Sequence, residues 1–159
     1  MIDIIIKIIP GIIIAIFTSS VAAYLTAKWS LKKFYSEKWW ERKENAYSDI
    51  INALYDLLQY CEIQREDWLG ETGYSDENMK DFGERHSRAF WKIKKATTIG
   101  AFVVSHEAEK ILIELYKRPQ LDWAENPPWE CYEQERIYYH EALTRIVEVA
   151  NRDLKASRT

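Results

Sequence analysis

Between Gly11 and Gly70 the chain contains neither glycine nor proline, a run of 58 residues with nothing to break a helix. The first part of that run also lacks charge: Ile8 to Ala27 is twenty residues without Asp, Glu, Lys, Arg or His. That absence excludes an ordinary amphipathic surface helix, which carries charge on its wet face, and buried core helices seldom run so far without one. Cysteine is scarce. Cys61 and Cys131 stand seventy positions apart, which excludes a disulfide-stapled scaffold and fits two reduced core residues. The three histidines, His86, His106 and His140, fall in separate segments and never meet those cysteines at ligand spacing, so no metal and no cofactor is expected. A basic excess is missing as well: 22 Lys and Arg against 25 Asp and Glu give a net charge of −3, which argues against nucleic acid as the main ligand. There is no glycine-rich phosphate loop and no serine or cysteine nucleophile in a recognisable setting, so nothing marks the chain as an enzyme.

What is present begins with that uncharged run. Twenty helical residues cover about 30 Å, the thickness of a bilayer's hydrocarbon core. Lys28, Lys32, Lys33, Lys38, Arg42 and Lys43 follow it, against Lys7 alone before it. The positive-inside rule then places everything after the run in the cytoplasm. Residues 1–27 read as a transmembrane anchor and 28–159 as a cytoplasmic helical bundle domain, with Lys28, Lys32 and Lys33 facing anionic lipid head groups. The competing reading is a cleaved signal peptide with its site at Ser20-Val21-Ala22. Against it stand Asp3 in what should be a basic leader and an apolar run that continues past the cut to Ala27.

Within the span, Gly11, Ala15, Ser19, Ala23 and Ala27 recur every four residues. Helices in lipid associate by close backbone approach and interhelical hydrogen bonds, and small residues at this spacing permit both, so the stripe is the expected face for homo-oligomerisation. Thr18, Ser19 and Ser20 add hydroxyls near the midplane. The plain alternative is local abundance of Ala, Ser and Gly, and a four-residue spacing drifts about 40° per step on a 3.6-residue helix.

The apolar pattern is helical throughout. Trp40, Tyr47, Ile50, Leu54, Leu57 and Cys61 recur by sevens, threes and fours, so the span is expected to continue unbroken into a helix ending near Leu69. Tyr24 and Trp29 then fall in the inner interface belt. Gly70 to Ser75 is a turn by composition, and Ser75 or Asp76 caps a second helix with the stripe Met79, Phe82, His86, Phe90, Ile93 and Thr97. Ser105 reads as the N-cap of a third helix, with Glu107 and Glu109 in its first turn and Ile111, Leu112 and Leu115 buried. Arg118 to Trp129 is the longest loop. A fourth helix carries Tyr139, Leu143, Ile146, Val147, Ala150 and Leu154. The expected fold is all-α: an N-terminal transmembrane helix continuing into the long helix of an antiparallel four-helix bundle.

Two features invite chemistry or contact. Arg136 and His140 stand at i and i+4, so they share a helix face and are the weak candidates for catalysis. Small helical ribonucleases of the HEPN type use an Arg and a His separated by four to six residues; here three separate them, and the plain reading is a charged face. Trp123 and Trp129 lie on a proline-stiffened acidic loop, where they form either a partner surface for a cytoplasmic protein or a cap folded back on the bundle.

The run Lys38-Trp39-Trp40-Glu41-Arg42-Lys43 continuing to Ala46-Tyr47, the turn Ile99-Gly100-Ala101-Phe102 before Ser105, and the ending Ala150-Asn151-Arg152-Asp153-Leu154 resemble short bacterial membrane proteins with one N-terminal span and a cytoplasmic helical domain. In overall plan the chain is also similar to the HEPN-like membrane accessory protein of type VI-B CRISPR systems, which assembles into a ring-shaped pore. The resemblance implies a single-pass protein of the bacterial inner membrane, with antiphage defence as its setting. The leading expectation is a non-enzymatic membrane effector that self-associates and perturbs or perforates the bilayer. A membrane-tethered adaptor is the alternative, and a membrane-bound ribonuclease a third.

Overall fold

The computed structural model describes the backbone of residues 2–71, 73–99 and 103–156, and the side chains of residues 19, 20, 22–71, 73–98 and 103–156. Among the described residues the fold is all-α: α1 (Ile2–Trp68), α2 (Asp76–Ile99), α3 (His106–Tyr116) and α4 (Pro128–Ala156), with no strand. The absence of breakers between Gly11 and Gly70 has the expected consequence, an α1 of 67 residues. The chain divides into two compact units, Met1–Trp39 and Trp40–Thr159, a boundary twelve residues beyond the charge boundary at Ala27.

The first unit is helical backbone carrying a densely aromatic segment. Tyr24, Leu25, Trp29, Leu31, Phe34 and Tyr35 are all exposed, and Lys33 pairs with Glu37 one turn on at 3.8 Å. Most side chains of the apolar run 8–27, including Gly11 and Ala15 of the small-residue stripe, lie outside the described residues. Among the described residues no helix is long and apolar enough to cross a membrane.

The second unit is the bundle. Tyr47, Ile50, Leu54, Leu57 and Cys61 form the buried stripe of α1, as their spacing predicts, joined by Ala53. Leu54, Leu112 and Ile146 are wholly buried, each worth about 1.5–3 kcal/mol in apolar area removed from water. Ion pairs report the helix directions. Asp49–Lys92 at 3.6 Å and Asp56–Arg85 at 2.7 Å set α2 antiparallel to α1. The Trp40 indole N–H donates to the Leu154 carbonyl at 3.3 Å, and Arg65 pairs with Glu133 at 3.0 Å, so α4 is antiparallel to α1 too. Arg145–Glu114 at 2.8 Å and the Arg152–Glu107 pair run α3 against α4.

The ends follow local chemistry. α1 stops at Gly70, whose φ of 71° lies in the left-handed region that glycine adopts without strain. Ser105 caps α3 by accepting from the Ala108 N–H. Two details differ from the sequence reading. In α2 Ile93 is buried as expected, but Ala89 is buried in place of Phe90, which is exposed, because the small side chain meets the core and the ring stands beside a cavity. The fourth helix begins at Pro128, where the missing N–H costs nothing, so Trp129 is helical rather than part of the loop.

Candidate functional site

α3 has 11 residues and α4 has 29, so α3 spans about 16 Å beside a neighbour of about 44 Å. The chain after Tyr116 therefore runs over bundle that α3 leaves uncovered. Asp122 shapes this segment: its side chain accepts from the Ala124 N–H at 2.8 Å, and its carbonyl accepts from the Asn126 N–H and side-chain amide at 3.0 and 2.9 Å. The segment sends Arg118 inward. One guanidinium nitrogen donates to the Leu115 carbonyl at 2.7 Å; the other donates to the Tyr139 hydroxyl at 2.9 Å and to the Glu135 carboxylate. The guanidinium lies 4.9 Å from the centre of the Tyr139 ring, a cation–π arrangement. Side-chain exposure is only 10% for Arg118 and 14% for Glu135, so this ion pair is desolvated.

Arg118 and Glu135 form part of the lining of a cavity of about 270 Å³ between α1, α2, α4 and the loop. Its walls are aromatic. Tyr60 and His86 lie ring on ring at 4.2 Å with a 31° tilt, and Trp123 meets Tyr132 edge to face at 5.0 Å. Phe90 and Gln120, both exposed, complete the rim. Burial lowers the His86 pKa, opposed in part by Glu135, so the imidazole is neutral at pH 7. Burial pushes the Cys61 thiol and the Tyr132 phenol each up to about 12. At neutral pH the thiol is therefore a poor nucleophile. Burial works against the charge of Arg118, but Glu135 and Tyr139 more than restore it. The cavity offers flat faces, hydrogen bonds and one internally neutralised ion pair, an arrangement suited to binding.

A second polar cluster closes the other end of the bundle. The buried Tyr47 hydroxyl donates to Asp153, accepts from the Ser105 N–H at 3.2 Å and lies 3.1 Å from the Ser105 hydroxyl. Lys43 approaches the same carboxylate at 3.8 Å. Burial disfavours the Asp153 charge, but the Tyr47 and Ser105 bonds and Lys43 outweigh it and hold the carboxyl below its ordinary value. This cluster ties α1, the α3 cap and α4 together. The sequence marked Tyr47 only as an apolar position.

Arg136 and His140 do lie on one face of α4, lining a shallow depression to which, among the described residues, only α4 contributes. The Arg136 guanidinium is held bidentately by Glu133 at 2.8 and 2.7 Å, and His140 is exposed. Glu133 also accepts from Arg65; the Arg136 bond first and Arg65 second, against a cost of burial, bring its pKa down to about 2. Trp123 and Trp129 are 49% and 40% exposed, and Trp123 packs edge to face on Tyr132 while showing a face to solvent. Cys61 and Cys131 are free and buried. Among the described residues no cluster of three or more His, Cys, Asp or Glu is placed to hold a metal ion. Ser19, Ala23, Ala27, Lys28, Lys32 and Lys33 are exposed along α1. Sequence reasoning missed the cavity, whose lining residues come from separate segments and share no local pattern. Comparison of the chain with protein-family models, curated proteins and solved structures found no match.

Proposed function

We propose that the chain is a single-pass membrane protein whose bundle is a cytoplasmic domain, and that it acts as a non-enzymatic effector by self-associating and perturbing the bilayer. The observation that carries this reading is the exposed aromatic and lysine segment of α1. Tyr24 is 66% and Trp29 73% exposed, with Lys28, Lys32 and Lys33 interleaved. Around the helix Trp29 stands about 140° from Tyr24, whereas Leu31 and Tyr35 return to within about 20° of it. A single protein partner covers one stripe; a lipid head-group layer surrounds the helix and satisfies all of these rings and cations together. The uncharged run immediately before this segment supplies the length for a span, and the four-residue stripe from Gly11 to Ala27 supplies a face for close helix approach. Thr18, Ser19, Ser20, Thr26 and the phenol of Tyr24 are the only hydroxyls within the run, which favours bilayer perturbation over a wide aqueous channel. The resemblance in plan to the accessory protein of type VI-B CRISPR systems extends the proposal to antiphage defence.

Dye release from liposomes carrying the full chain tests this directly: release that disappears in the Ala15→Leu, Ser19→Leu double variant is the expected result. Intact liposomes at all protein densities would leave the tethered adaptor, a reading favoured by the half-exposed Trp123 and Trp129. Loss of cellular toxicity in His140→Ala, with assembly unchanged, would instead favour the ribonuclease.

A further inference from the structure

We propose that the cavity beneath the 117–127 segment binds a flat, uncharged heteroaromatic ring, with the nucleobase of a free nucleoside as the ligand class. The inference is independent of the membrane reading and rests on three observations. The first is size. At about 270 Å³ the cavity falls just under the roughly 300–1,000 Å³ typical of sites for drug-sized molecules, leaving room for a one- or two-ring base. The second is the walls. The stacked Tyr60–His86 pair and the Trp123–Tyr132 pair present ring faces and edges, and Trp123 stands where the cavity meets solvent. Stacking on such faces tolerates any base.

The third observation is the polar lining. Gln120 brings a side-chain amide, both donor and acceptor, to the rim. A ring nitrogen or carbonyl oxygen can pair with that amide, whereas a purely hydrocarbon ring cannot. Arg118 and Glu135 cancel each other's charge, so a ligand with net charge of either sign would be desolvated without a counter-ion. A neutral ring with a donor–acceptor edge avoids that cost.

Calorimetric titration of the full chain in detergent micelles, with adenosine, guanosine, cytidine, uridine, ribose and adenosine monophosphate as probes, tests the proposal. At least one nucleoside binds saturably and ribose does not. Trp123→Ala and Gln120→Ala, both at exposed positions, each weaken that nucleoside about tenfold, and Gln120→Ala does so with the unfolding midpoint unchanged. Three results would overturn the proposal: no nucleoside binding up to about 1 mM, binding of the monophosphate alone, or nucleoside binding indifferent to both substitutions.

Discussion

Two stretches of α1 use the same kinds of residue to opposite ends. From Tyr24 to Tyr35 the large apolar side chains are spread around the helix and exposed; from Tyr47 to Cys61 a single stripe of Tyr47, Ile50, Leu54, Leu57 and Cys61 is buried, while Tyr55 stays exposed. Helix propensity does not separate them, since both are rich in Tyr and Leu and neither holds a glycine or proline. The difference lies in angular distribution. A stripe repeating at three and four residues meets one packed neighbour, while rings spread around the helix suit a medium that surrounds it, the role we propose for lipid. The lesson is that the period of apolar residues, more than their number, tells which solvent a helix segment is built for.

The contrast predicts a graded series of substitutions. The largest effect is at the buried stripe: Leu54→Ala removes a wholly buried side chain and should cost the bundle about 2–5 kcal/mol, read from denaturant unfolding. Next is Tyr47→Phe, which keeps the ring but strips Asp153 and Ser105 of their shared hydroxyl; a loss of about 1–3 kcal/mol is expected in the same measurement. Glu133 gives a smaller, pH-dependent effect. Its pKa in the fold, about 2, lies below its ordinary value of 4.5, so its stabilisation is complete above pH 4.5 and fades as the pH falls through about 2. Because the group is partly solvent-screened, Glu133→Gln should cost about 1 kcal/mol or less at pH 7 and flatten the stability curve between pH 4.5 and 2. The smallest is Trp29→Ala: if its ring serves lipid and not the bundle, bundle stability stays within about 0.5 kcal/mol of the original. A large loss there would erase the distinction between the two stretches.

Much of the bundle was legible because it depends on local periodicity. The α1 stripe, the Ser105 cap with its buried Ile111, Leu112 and Leu115, and the end of α1 at Gly70 all follow from spacing and end chemistry. Where the reading slipped, a tertiary neighbour decided: Ala89 took the buried place expected of Phe90 because the Phe90 ring lines a cavity. That cavity had no local signature. It exists because α3 stops after 11 residues and the following loop turns Arg118 into the space, an arrangement joining Tyr60, His86 and Glu135 across 75 positions of sequence. Tyr47 was visible as an apolar position, but its hydroxyl partners lie 58 and 106 residues away. The Arg136–His140 pair was the converse, a spacing plain in the sequence whose arginine is already committed to Glu133.

The most direct test of the account is native mass spectrometry of the full chain extracted from membranes in detergent. The account predicts uncleaved chains, retaining Met1 through Ala22, released together as a closed oligomer. A soluble chain trimmed after Ala22, or intact chains that are strictly single, would contradict it.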